Sequence, residues 1–267
     1  MNIKPTSWNI TESLIDTKWK NLFRSVGFMI PFWSNEKLPI AYVPKTGEWV
    51  VPTEPDVGGI IDVGNQGPRY RIANQTDSLL YTLGDVDVLM NMSTGTGFTL
   101  VSLLYGSQGQ DGIVSLGESS VNNSQIIIGT SGSGPYPAMV SRAPSLVTTG
   151  TDTTFNYNSV RGNLVAAVSK KGNTGAEIWV DGIFYGENST QTTYSSGTLA
   201  CRVGGEIQRG TSNSAGNGSW ITLVYGFDKI LTKDEHMLLA QDPFGPFRQT
   251  RMLTEPIYPL RYGGWSR

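Results

Sequence analysis

Cysteine, histidine and charge are all scarce in this chain. The single cysteine, Cys201, excludes an internal disulfide, and the single histidine, His236, has no cluster of partners for a metal site or a Ser-His-Asp arrangement. Cys201 lies in an apolar stretch and reads as a small buried core residue. Charged residues make up 16% of the chain and the net charge is -2, so the clustered basic surface that nucleic-acid binding needs is missing. No run approaches the ~20 apolar residues of a membrane span. The stretch Met1-Asn-Ile-Lys-Pro-Thr-Ser-Trp8 lacks the apolar core of a secretory signal. The expectation is a chain made and folded in the cytoplasm, with no cofactor, no metal, no nucleic acid and no membrane partner.

Turn formers, by contrast, are plentiful. The chain has 32 Gly and 14 Pro among its 267 residues, with many Ser, Thr and Asn, as expected for short strands joined by turns in one all-β domain. The most ordered stretch runs from Asn163 to Phe247. Strand-like Asn163–Lys170 and Ala176–Val180 are followed by Asp181-Gly182 and Ile183-Phe-Tyr185. Asp-Gly between β-prone runs predicts a hairpin whose two turn residues both take positive φ. Thr198–Val203 and Ser219–Phe227 predict two further strands. Thr232 with Glu235 forms a capping box, so Leu231–Phe244 predicts one short helix, favoured by Asp234 at its positive end and stopped by Pro243. Met237, Leu238 and Ala240 are its expected apolar face, with Phe244 and Phe247 folding back onto apolar surface.

These pieces resemble the concanavalin A-like lectin/glucanase (laminin-G-like) jelly rolls, especially versions encoded by tailed bacteriophages. Thr96-Gly-Phe-Thr-Leu-Val-Ser-Leu103 resembles the family's early "GxFTxxxW" strand, with Leu103 or Leu104 where Trp is common. Leu164-Val-Ala-Ala-Val168 resembles "xxVAVV", and Glu177-Ile-Trp-Val-Asp-Gly182 resembles "xxLYVNG". The block from Trp220 to Phe244 resembles "FxGxIxxVxIYxRALSxEEIxxLYxxPF". The four motifs occur in the family's order, and the resemblance covers roughly Gly27 to Phe247. It implies an all-β, two-sheet antiparallel jelly-roll sandwich with a short C-terminal helix and extended termini. The division is then an arm at 1–26, the jelly roll at 27–247 and a tail at 248–267.

Within the arm, Leu14, Ile15, Trp19, Leu22 and Phe23 make a helical stripe over Asn9–Phe23, with Thr11 or Ser13 as candidate caps. The stripe either lies on its own domain or docks on another subunit, since exposed Trp and Phe favour interfaces. Gly27–Trp33 and Glu48–Val51 predict strands, and Phe98–Tyr105 predicts a central one. Ile113–Leu116, Gln125–Ile128 and two more strands within Met139–Tyr157 follow. Asp85-Val-Asp87 reads as a solvated strand face, with calcium as the alternative use of its alternating carboxylates. Gly132-Ser-Gly134 lacks the strand-to-helix setting of a phosphate loop. The stretch 211–218 is a polar loop, and the tail, rich in Pro, Tyr and Arg, cannot fold alone.

Three functions follow from this reading. Hydrolases on such a fold need two carboxylates flanking the scissile bond, and the glucanase members' "ExDxxE" run is missing here. Glu177 and Asp181 lie four apart, but Asp181 belongs to a turn; Asp234 and Glu235 cap a helix; Asp62, Asp111 and Glu118 stand alone. No catalytic residue is assigned, and an enzyme is not expected. Glycan binding needs aromatic platforms, for which Trp179, Tyr185, Trp220 and Tyr225 are candidates, although core burial is the commoner fate of a strand aromatic. The phage-encoded resemblance implies a non-enzymatic virion structural protein, foremost a capsid decoration or accessory protein docking through its termini. Its partners would be major capsid, neck or tail subunits, other copies of itself, or cell-surface glycans. A carbohydrate-binding tail or neck protein is the alternative.

Overall fold

The computed structural model describes residues 15–32, 39–55, 60–64, 67–72, 78–105, 112–119, 125–130, 137–142, 146–149, 164–170, 175–189, 194–205, 207 and 219–247. A 3-10 turn at Thr17–Trp19 runs into α1 (Lys20–Arg24). Next come β1 (Val26–Pro31), β2 (Ala41–Val43), β3 (Glu48–Val50), β4 (Glu54–Pro55), β5 (Ile60–Gly64), β6 (Gly67–Ile72) and β7 (Leu79–Asp85). Helix α2 (Val86–Met90) precedes β8 (Phe98–Tyr105), β9 (Gly112–Glu118), β10 (Gln125–Thr130), β11 (Pro137–Arg142) and β12 (Leu146–Thr149). The last strands are β13 (Leu164–Lys170), β14 (Ala176–Val180), β15 (Ile183–Asn188), β16 (Thr198–Val203) and β17 (Ser219–Phe227). Helix α3 (Lys233–Gln241) and a 3-10 turn at Gly245–Phe247 follow.

The strands form two antiparallel sheets packed as a sandwich, as expected. The larger runs β15-β14-β13-β8-β17-β1-β2-β3, with β6 also pairing β17 and β5 pairing β6. The smaller runs β12-β11-β10-β9-β16-β7-β4. Between them lies a core to which Phe28, Leu100, Leu104, Ala166, Val168, Ile178 and Val224 come from the larger sheet. Tyr81, Val114, Leu116, Ile126, Leu199 and Cys201 come from the smaller. Cys201 is buried as expected, and burial pushes its thiol pKa far up, which keeps it an unreactive core atom.

The outer face of the larger sheet is also covered. Met29, Val101, Leu103, Val165, Ala167, Trp179, Leu223, Tyr225 and Phe227 form a second apolar layer with Ile15, Trp19, Leu22, Phe23, Leu231 and Leu239. This explains why β8 reads as a near-continuous apolar run: both of its faces are buried, so polar alternation has no solvent side to serve. Trp19 and Phe23 are buried against their own domain rather than exposed for a partner. Ring atoms of Trp19 pass so close to Gly245 that a Cβ there would lie 2.0 Å from the indole. Thus the first and last described turns of the domain lock together. The candidate caps Thr11 and Ser13, Trp33, the Gly132–Gly134 and 211–218 loops, Asp111 and the tail at 248–267 lie outside the described residues.

Two local expectations are corrected. Asp85-Val-Asp87 is not a continuing strand face, because β7 ends at Asp85 and α2 begins. Asp85 accepts from the N–H groups of Asp87 (2.9 Å) and Val88 (3.0 Å), an N-cap that outcompetes strand extension. Asp87 in turn holds the backbone N–H and hydroxyl of Ser93. Second, the capping box and the stop before Pro243 stand as expected, and Leu238 packs partly buried against the outer layer as expected, but the fully buried positions of α3 are His236 and Leu239, while Met237 faces out. Met237 is 42% exposed.

Candidate functional site

The hairpin between β14 and β15 is built as its sequence demands. Asp181 and Gly182 take φ of 49° and 76°, the positive pair of a type I′ turn. The turn is tied to the start of β13 twice: Asp181 N–H donates to Val165 O (2.9 Å), and Val165 N–H donates to Asp181 Oδ1 (2.8 Å). Its far side rests on α3, where a Cβ on Gly182 would come 2.8 Å from Met237 Cα. Glycine is therefore required there for both its conformation and its lack of a side chain.

Where turn and helix meet they leave an open cleft of about 460 Å³. Trp179, Ile183, Phe184 and Met237 give it apolar walls, and Asp181 and Lys233 give it one carboxylate and one ammonium. Ile183, Phe184 and Met237 are 58%, 45% and 42% exposed, three of the five large exposed hydrophobics among the described residues. Three exposed apolar side chains thus share one concavity, beside one acidic and one basic side chain.

Behind the cleft stands a rigid buttress. The Trp179 indole is stacked on His236, centroids 4.5 Å apart and planes 9° from parallel, and Phe184 meets it edge-on at 5.5 Å. The indole N–H donates to Glu177 Oε2 (3.1 Å). His236 Nε2 lies 3.2 Å from Ser169 Oγ, which is 3.0 Å from Thr99 Oγ1. Burial lowers the imidazole pKa to about 4, against the opposing pull of Glu177 and Glu235, so the ring is neutral at pH 7. A serine within reach of histidine resembles half of a nucleophile–base pair, but Ser169 is fully buried and no substrate carbonyl can approach it.

The other sequence candidates disperse. Of the four aromatics, Trp179 alone lines the cleft. Tyr225 is buried, with its hydroxyl donating to Pro243 O at 2.6 Å. Tyr185 packs against the inner core and Trp220 lies on β17, half-buried. Glu177 is held by the Trp179 indole and does not line the cleft. Asp181 does line it, its pKa raised by burial and held back by the Val165 N–H. Glu235 is engaged by Thr232 and by Lys229 Nζ at 2.5 Å, Asp234 is exposed, and Glu118 is buried. Among the described residues no group of three His, Cys, Asp or Glu is arranged to hold a metal ion. Phe184, Ile183, Lys233 and Met237 were missed by sequence reasoning. The Asp-Gly turn signals the hairpin, but no sequence signal tells which way Ile183 and Phe184 face or that the turn meets α3.

No family model matches the chain, and no curated protein matches it. Among solved structures, the binding domain of botulinum neurotoxin serotype C1 is similar with a TM-score of 0.58 and 15% identity, over 82% of this chain and 52% of that one. The binding domain of botulinum neurotoxin DC in complex with SialylT gives 0.55 and 12%, over 82% and 52%. Trypanosoma rangeli sialidase in complex with the inhibitor DANA gives 0.52 and 9%, over 80% and 32%. The chain thus spans about half the length of the neurotoxin domains and a third of the sialidase. At such identities the likeness establishes a shared β-sandwich fold.

Proposed function

We propose that this domain is a non-enzymatic glycan-binding module whose site is the cleft between the β14–β15 turn and α3. The observation that carries the reading is the exposed Phe184 beside Trp179, flanked in one cleft by a carboxylate and an ammonium. Sugars present C–H faces that lie on aromatic rings and hydroxyls that need both donors and acceptors. The resemblance to lectin-type jelly rolls supports the same reading, as do two named structural relatives, one a complex with SialylT and one a sialidase. A binding role is favoured over paired-acid hydrolysis because, among the described residues, Asp181 is the one acid lining the cleft, where glycosidases that work through two carboxylates need a flanking pair.

The capsid-decoration role rests on the phage-encoded resemblance alone. Nothing in the named structural relatives adds to it, so its alternative, carbohydrate binding, becomes the main reading. The test is a glycan array with the full chain and the Phe184→Ala variant. Since Phe184 is 45% exposed and its ring contact is edge-on with Trp179, the variant should lower the melting temperature only slightly while losing about tenfold in affinity for any bound glycan, the scale of ~1.4 kcal/mol. Equal binding by both proteins would remove the cleft from consideration, and a blank array would remove the function.

A further inference from the structure

The polar lining of the cleft carries information about the sugar itself. Among the described residues Lys233 makes no ion pair or hydrogen bond, and it does not pair with Asp181 although both line one cleft. Asp181 spends Oδ1 on Val165 N–H, and its other oxygen makes no hydrogen bond among the described residues. Each charge therefore waits with unused capacity, one purely a donor and one purely an acceptor. The surroundings lean acidic. Asp234 is exposed in the first turn of α3, and Glu177 and Glu235 are close enough to act on His236 beneath the cleft. Glu235 is matched by Lys229.

Building on the glycan-binding reading, we infer that the cleft takes a neutral pyranose and rejects an acidic one. Its C–H face lies on Phe184 while neighbouring hydroxyls accept from Lys233 and donate to Asp181. A hydroxyl pair suits this lining because each hydroxyl both gives and accepts a hydrogen bond. A sialic or uronic acid would satisfy Lys233 but bring a second carboxylate toward Asp181, an exposed carboxylate of the same lining that no cation among the described residues neutralises. Repulsion of that kind is how a site excludes a close relative of its ligand. The cleft volume of about 460 Å³ lies within the roughly 300–1,000 Å³ of small-molecule sites.

The experiment is titration of the full chain with matched oligosaccharides, one ending in a neutral hexose and one carrying an added terminal sialic acid. Wild type is compared with Asp181→Asn and Lys233→Met. Asparagine tolerates positive φ and keeps the oxygen that Val165 N–H needs, so the turn stays folded. The neutral member should bind at least tenfold tighter than the sialylated one. Asp181→Asn should narrow that gap by improving the sialylated member, and Lys233→Met should weaken the neutral one. If the sialylated member binds as tightly or tighter, and Lys233→Met abolishes it while Asp181→Asn leaves it unchanged, the neutral-sugar inference falls and the glycan-binding function stands. If neither binds, both fall.

Discussion

Replacement of Trp19 by alanine is expected to destabilise the domain by about 3–5 kcal/mol, the range for emptying a well-packed aromatic site. Trp19 is fully buried in the outer apolar layer, and its ring lies against the backbone of Gly245. Backbone on one side and a sheet face on the other leave little that can collapse into the space. Stabilities of about 5–15 kcal/mol are usual for a folded domain, so the loss would be a large share of the total. Urea denaturation of wild type and Trp19→Ala measures it as a lower midpoint at similar slope. Gly245→Ala should be destabilising as well, because its methyl group would occupy the space of the indole. A cost under ~1 kcal/mol for Trp19→Ala would mean that the turn before β1 is an appendage and not part of the fold.

Mild acid is expected to weaken the fold through His236. Its imidazole titrates at about 4 in the folded state against an ordinary value of 6.5, because burial disfavours the cation. The unfolded chain therefore takes up a proton first as pH falls. The stability is fully present above pH 6.5 and is lost progressively as pH falls toward 4, by about 3 kcal/mol in all. Glu235 acts in a lower window. Burial works against its charge, but hydrogen bonds from Lys229 and Thr232 prevail and lower its pKa below the ordinary 4.5. His236→Phe keeps a ring to stack on Trp179 and removes the titration. Denaturation midpoints measured between pH 7 and 4.5 should fall for wild type and stay nearly flat for the variant. Parallel slopes would assign the acid sensitivity to other groups.

Features fixed by neighbouring residues were legible in the sequence. The Asp181-Gly182 turn, the Thr232–Glu235 capping box and the central strand β8 each follow from a short window and occur as expected. Asp85-Val-Asp87 was misread because a period of two is also what an N-cap followed by a first-turn acid looks like. The hydrogen bonds made by Asp85 decide the matter. The buried face of α3 was misread for a different reason. A nine-residue helix offers few positions to the sheet, and a histidine can fill one of the fully buried ones when Ser169 and Trp179 are there to receive it neutral. The cleft was hardest to foresee. Phe184 and Met237 are distant in sequence, and no local periodicity announces that a hairpin turn will come to rest on a helix.

The junction of Trp19 with Gly245 also sets how the domain carries tension. Force applied through Thr17–Trp19 and Gly245–Phe247 enters at one place. Inward of that junction, β1 and β17 begin and end as a paired rung, Val26 opposite Phe227. A pull on both ends would therefore open these two strands rung by rung, the weakest way to load an antiparallel pair, rather than shear them along their length. The indole seated on Gly245 is thus the latch that keeps this zipper closed. Stretching single molecules should show one early yield event that vanishes in Trp19→Ala, with no comparable resistance afterwards from β1 and β17.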